Sequence, residues 1–234
     1  FCVKTTIEVE DEWLHSFYYF NDEIPKEEDF EKTMIDYLTF EFNMIMQGRD
    51  YIFKFKREVN ELLKNQFDLN DVEWKEFKIS KIFDVRKSRA YHKLQLQFNN
   101  GDIPYITRTS MNNGLEGIVK NEDFILNPKD TISCGAENAD FFYQGTEYIS
   151  GNNVCYLKNN NINRYTGLFL VKMLQNSIKG CGFGFGKGLT GTRLKNRPII
   201  LPINSKGQPN WEFMENFMRK IEYKKLNIYL DYIK

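Results

Sequence analysis

At 234 residues, with 41% apolar and 15% aromatic side chains and no run of 18 apolar residues, the chain excludes both a disordered polypeptide and a membrane-spanning helix. The formal net charge of zero hides a division: residues 1–71 carry 8 Lys+Arg against 17 Asp+Glu, a balance of −9, and residues 72–234 carry 24 against 15, a balance of +9. Such asymmetry points to a basic module that meets a polyanion, joined to an acidic module that faces protein or solvent.

Phe1 stands in place of an initiator Met and no leader pattern follows, so the chain reads as a piece of a longer protein. A strand is predicted over Cys2–Val9, then a loop over Asn21–Pro25. From Glu27 the residues Phe30, Met34, Tyr37, Leu38, Phe42 and Ile45 recur at helical spacing, ended by Gly48. A second helical pattern spans Ile52 to Leu63, which suggests a helical hairpin that packs on itself or acts as a docking or spacer element. The polar stretch Asn65–Asp71 is the expected boundary. It divides an acidic, helix-containing segment, 1–71, from a second domain, 72–234.

In the second part, Trp74, Phe77, Ile79, Ile82 and Phe83 are expected to anchor a short strand and turn, followed by a basic loop from Arg86 to Lys93. Strands are predicted at 103–107, 123–126, 131–134 and 152–157, most of them separated by Gly, Asn, Pro or Asp. A helix is predicted from Asn161 to Lys179 with Gly180 as its stop, then a strand from Pro198 to Pro202. Asn210 is placed to cap a final helix whose Phe213, Phe217 and Ile221 share a face. Strands and helices mix without a regular βαβ alternation, so the expected fold class is α+β with a mixed sheet.

The apolar strand Ile103–Ile106 runs into a loop dense in hydrogen-bonding groups: Thr107, Arg108, Thr109, Ser110, Asn112 and Asn113. Two readings stand open for it, a surface that reads a ligand rich in donors and acceptors, such as DNA, and an ordinary turn closed by Asn113-Gly114. The segment Gly180–Gly191 contains a formal GxGxxG at Gly186, Gly188 and Gly191. It follows a helix rather than a strand and lacks an acidic ribose partner, so a dinucleotide site is not expected. Lys187 is followed by Gly, which rules out a Walker loop; phosphate approach and a plain structural loop both remain. Glu73-Trp-Lys75 with Asp50 only faintly echoes a metal-dependent nuclease. The four scattered cysteines and two histidines predict neither zinc nor disulfides and fit a reducing cytoplasm. No catalytic constellation, metal site or cofactor is expected.

The order Trp74…Phe77-x-Ile79…Ile82-Phe83, then Gly101-x-Ile103-Pro-Tyr-Ile-Thr-Arg-Thr-Ser110 with Asn112-Asn-Gly114, resembles the DNA specificity domain of type I restriction-modification systems, and within it the BcgI-like specificity subunits. Further matches are Asn127-Pro128…Thr131-Ile-Ser133, Phe142-Tyr-Gln144 leading to Asn153-Val154, Arg193–Pro202 after the glycine loop, and Gly207-Gln-Pro-Asn-Trp211. The likeness covers about 72–225 in order; residues 1–71 match it less clearly.

That resemblance implies a target recognition domain that reads half of a double-stranded DNA site. Such domains are held apart by long helices that also bind adenine-methyltransferase subunits, and restriction subunits complete the assembly. The chain itself is then non-catalytic. A split target calls for a homodimer, a second recognition domain, or fusion to an enzyme. From local chemistry, Arg86, Lys87, Arg89 and Lys93 are expected to hold phosphates. Arg108, Thr109, Ser110, Asn112 and Asn113 are expected to approach base edges, where Arg favours guanine and Asn adenine. Tyr143, Gln144, Lys187, Thr192 and Arg193 are further candidates. The alternatives are the specificity end of a single-chain restriction-methylation enzyme and a protein-interaction module centred on the acidic segment.

Overall fold

Two features of the sequence, helices with one apolar stripe and short strands cut by turn residues, fix the architecture. The structure is a computed structural model that describes residues 21–46, 67–120, 123–184 and 186–232. The strand predicted at Cys2–Val9 and the helix predicted at Ile52–Leu63 lie outside the described residues. In chain order the elements are α1 (Glu27–Met46), β1 (Trp74–Lys78), the short helix α2 (Ile79–Ile82), β2 (Asp84–Lys87), β3 (Phe98–Ile106), β4 (Leu115–Val119), β5 (Thr131–Gly135), β6 (Phe141–Gln144), β7 (Ile149–Ser150), β8 (Val154–Lys158), α3 (Arg164–Ser177), α4 (Gly191–Asn196), β9 (Pro198–Pro202) and α5 (Trp211–Tyr232).

The long helices form where caps and stripes agree. Glu27, Glu28 and Asp29 place negative charge on the first turn of α1, against the positive end of its dipole. Its Phe30, Met34 and Tyr37 are buried, and so is Glu41, which continues the same stripe. Helix α3 starts at Arg164 rather than at Asn161 because Asn163 is the cap. The Asn163 Oδ1 accepts from the Tyr165 and Thr166 amides at 2.9 and 3.0 Å, and Thr166 Oγ1 accepts from the Asn163 amide at 2.9 Å. At α5 the Asn210 Oδ1 accepts from the Phe213 amide at 3.1 Å, the cap the sequence predicts. Phe213, Phe217 and Ile221 are buried as expected, with Met214 and Met218 beside them.

The fold is α+β, with three small sheets among the described residues. β2, β8, β5 and β6 form an antiparallel sheet in that order, and β1 pairs antiparallel with β9. The third sheet, β4-β3-β7, is mixed: β3 runs antiparallel to β4 and parallel to β7. One large core joins α1, α3 and α5 to the four-stranded sheet, and a second, smaller cluster lies around Ile103, Tyr105, Val119 and Ile149. The Phe30 ring stacks on Phe169 at 4.8 Å and meets Phe217 edge-on at 5.3 Å, so α1 shares its core with elements more than a hundred residues later.

The strand predicted at 123–126 does not form. Asp123 has φ of 57°, a left-handed conformation that ends any extended run, and Phe124 and Leu126 serve instead as packing for the smaller cluster. The predicted basic loop begins on a strand, since Arg86 and Lys87 belong to β2. Among the described residues no helix is long and apolar enough to cross a membrane. Phe30→Ala should cost about 3–5 kcal/mol of unfolding free energy, seen as a lower urea midpoint; an unchanged midpoint would mean that α1 is not part of the core.

Candidate nucleic-acid interface

The polar loop between β3 and β4 is built from its own side chains. The Thr107 amide donates to the Gly114 carbonyl at 2.8 Å and closes it. Within it, Thr107 Oγ1 accepts from the Thr109 amide at 3.3 Å, and Thr109 Oγ1 from the Met111 amide at 3.2 Å. Asn112, Asn113 and Gly114 all have positive φ, between 49° and 76°. Asn tolerates that conformation and Gly114 has no Cβ to bring against Phe142, 3.1 Å away.

The turn between β5 and β6 grips this loop from one side. Asn138 Nδ2 donates to the Arg108 carbonyl at 2.8 Å and to Ser110 Oγ at 3.1 Å, and Arg108 forms an ion pair with Glu137. On the other side Lys93 pairs with Glu116, which also accepts from Thr107 Oγ1 at 3.4 Å. Between them lies an open cleft of about 370 Å³, floored by Tyr105. Burial, reinforced by the Glu116 charge, pushes the Tyr105 hydroxyl up, and it stays a donor, to the Tyr91 carbonyl at 2.8 Å. The cleft therefore presents cations, carboxylates and hydroxyls within one small opening. Leu94, the residue after Lys93, is 99% exposed, and Met111 at the tip of the loop is 73% exposed.

The structure separates the residues that the sequence groups together. Lys93, Arg108 and Thr109 line the cleft, Ser110 stands exposed beside it, and Asn112 is exposed at the loop tip. Arg89 lies over the Tyr91 ring at 5.6 Å. Arg86 and Lys87 lie on β2, at the edge of the four-stranded sheet, Arg86 paired with Asp84 at 2.6 Å. Asn113, Tyr143 and Gln144 have internal roles instead of base-edge positions. Asn113 Nδ2 donates to the Tyr143 carbonyl at 2.9 Å, and Gln144 Nε2 donates to the Asn113 carbonyl at 3.1 Å and to Ser133 Oγ at 3.0 Å. Tyr143 is 3% exposed with its hydroxyl on Asp130, and Gln144 is 5% exposed, so both side chains are enclosed within the fold.

The glycine loop is a brace. A Cβ at Gly188 would lie 2.8 Å from the Ala136 carbonyl oxygen, and the Leu189 amide donates to that oxygen at 2.6 Å. Arg193 Nη1 donates to the Gly188 carbonyl at 2.7 Å, while Thr190 caps α4 and Thr192 is exposed on it. Lys187 is half-buried in the tight turn it forms with Gly184. Glu116, Glu137 and Asn138 are the cleft residues that sequence reasoning missed. Only the alternation along β4 and the Gly-Ala-Glu-Asn stretch after the predicted strand 131–134 point to them. Among the described residues, no group of three His, Cys, Asp or Glu side chains is placed to hold a metal.

The family model for the type I restriction modification DNA specificity domain matches residues 71–229. The specificity subunit S.BcgI of a type II restriction enzyme from Heyndrickxia coagulans is 27% identical over 194 residues, 81% of this chain and 54% of that protein. A type II restriction enzyme and methyltransferase from the same organism, RM.BcgI, is 62% identical over 52 residues, 22% of this chain and 8% of that protein. Among solved structures, the type I restriction-modification S subunit from M. genitalium superposes with a TM-score of 0.50 at 16% identity, covering 88% of this chain and 56% of that one. The chain thus spans about half of the specificity subunits it matches, and the match to RM.BcgI covers a small share of that protein. Gly188→Ala should force the brace away from the Ala136 carbonyl at a cost of about 1–3 kcal/mol. A thermal midpoint equal to that of the parent chain would show that the brace is not tightly packed.

Proposed function

The chain belongs to the type I restriction modification DNA specificity domain family, and from that premise we propose that it is a non-catalytic module that reads one half-site of double-stranded DNA. The family match across 71–229 carries this reading, and the cleft at the β3–β4 loop supports it chemically. Arg108 is the first candidate reader. Its ion pair with Glu137 is about one-third exposed, and such pairs are worth about 0–1 kcal/mol. A bidentate contact from Arg to guanine contributes about 1–3 kcal/mol, so a base edge can displace the carboxylate. Glu137 and Glu116 would then accept from cytosine amino groups and reject stray phosphates, and the exposed Leu94 and Met111 side chains suit thymine methyl groups. Thr109, Ser110 and Asn112 supply further polar contacts, and Arg86, Lys87, Arg89 and Lys93 the contacts to phosphate.

In this reading adenine-methyltransferase and restriction subunits act as partners in the cytoplasm, and a second recognition domain or a second copy completes a split site. One observation favours a variant of it. The 62% identity to RM.BcgI over 52 residues fits a chain that forms the specificity end of a fused restriction-methylation enzyme. Adenine methylation by the parent polypeptide with no added subunit is what that arrangement requires.

Selection from random duplex DNA, with and without a methyltransferase subunit, tests the proposal by returning a defined half-site; enrichment of no sequence in either case would overturn it. Arg108→Ala should relax preference at one base pair by about 1–3 kcal/mol and leave binding to random duplex nearly unchanged. If the selected sequence is the same for the variant, Arg108 is not a reader. Lys87→Ala should weaken binding to every sequence alike and flatten the salt slope by about one unit, and an unaltered slope would remove Lys87 from the phosphate contacts.

A further inference from the structure

A second opening lies away from the loop cleft. It lies along the edge strand β2, between α2, α4 and the residues that follow β8, and measures about 850 Å³. Lys81 from α2, Arg86 from β2, Lys158 at the end of β8 and Lys195 from α4 converge on it, with Asp84 as the single acid and Asn160 as an exposed amide. Asp84 is taken by Arg86. Among the described residues none of the three lysines has an acidic partner. Three exposed lysines that separate elements bring to one cleft give it a positive potential that suits an anion.

Resting on the DNA-binding reading above, we infer that this cleft is a second backbone-binding site, in which Lys81, Lys158 and Lys195 hold phosphates of the same duplex. Ammonium and amide donors with one spent carboxylate form the donor set that phosphate oxygens accept. An acidic polypeptide is the less suitable occupant. The apolar residues of the lining, Ile82, Phe83 and Val85, are at most 9% exposed, so a peptide would find no hydrophobic anchor there. The two clefts also lie within reach of one duplex. Arg86 and Lys93 are seven residues apart, which limits their separation to about 25 Å, less than one helical turn of about 34 Å.

The test is the salt dependence of binding between the 234-residue chain and a labelled random-sequence duplex, over about 50–200 mM salt. The triple variant Lys81→Gln, Lys158→Gln, Lys195→Gln should bind more weakly and flatten the slope by about two to three units, one released counterion per lost contact. The matching Lys→Arg triple variant should keep the parent slope. All three side chains are exposed, so both variants should keep the parent far-UV circular dichroism and thermal midpoint. A parent slope in the glutamine variant would overturn the inference while leaving DNA recognition intact. Failure of the parent chain to bind duplex at any salt would overturn both.

Discussion

Helix α3 has no exposed residue, and the rest of the structure is arranged to cover it. On one side its Phe169 meets Phe30 of α1, Phe217 of α5 and Trp74 of β1. On the other it lies against the four-stranded sheet. There a Cβ at Gly167 would come 2.5 Å from the Tyr143 ring, so only glycine allows the helix to approach β6 this closely. Each fully buried Leu, Phe or Met contributes about 1.5–3 kcal/mol. Because α3 carries Leu168, Phe169, Leu170, Val171, Met173 and Leu174 in one stretch, no neighbouring layer can be removed without exposing part of it.

A helix covered on all sides must also neutralise its charges. Arg164 reaches Glu41 of α1 and Glu222 of α5, both at 2.8 Å, and Tyr165 donates to Glu222 at the same distance. Lys172 is paired with Asp29 of α1. Burial pushes the Glu41 carboxyl up, against the pull of Arg164. For Arg164 the order of effects is similar but the outcome differs: burial weakens its charge, and the two carboxylates more than restore it. Taking such ions out of water offsets most of their attraction, so the triad adds little net stability. Its effect is on register. Loss of one partner leaves a buried charge and costs about 3–5 kcal/mol, which penalises any sliding of α1 or α5 along α3.

The frame was largely legible in the sequence because it follows periodicity. The stripes of α1 and α5, the strands at 131–134 and 152–157, the strand Pro198–Pro202 and the Asn210 cap all stand where local pattern puts them. Glu41 and Glu222 were legible only in hindsight: each is an acid inside an apolar stripe, and two such acids on different helices imply a shared buried cation. The site was harder to read, because composition counts donors without saying where they are used. Asn113 and Gln144 look like ligand-binding groups in the sequence, yet each bonds to a backbone carbonyl that tertiary contact alone brings near, and Arg193 is spent on the Gly188 carbonyl five residues before it. Glu137 and Asn138 show the converse. Nothing local links them to Arg108, and only the close approach of Gly135 to the Arg108 backbone does so.

The same ion-pair chemistry therefore has two outcomes in one molecule, and burial decides between them. Around α3 the carboxylates are 6% and 11% exposed, and their pairs cannot be exchanged without several kcal/mol of desolvation. At the loop cleft Arg108 and Glu137 are 37% and 32% exposed, and Lys93 is 63% exposed, so water already competes for them. Pairs of the first kind fix how helices meet. Pairs of the second kind orient a side chain in the free protein and cost little to exchange for a stronger acceptor. The loop that carries them is held by its own Thr107, Thr109, Ser110 and Asn113 side chains and by backbone groups, the Gly114 and Arg108 carbonyls among them. Arg108, which the frame grips through its carbonyl, and the exposed Asn112 at the tip can therefore change side chain without altering how the loop is anchored, which is the property a surface needs if different DNA sequences are to be read on one unchanging frame.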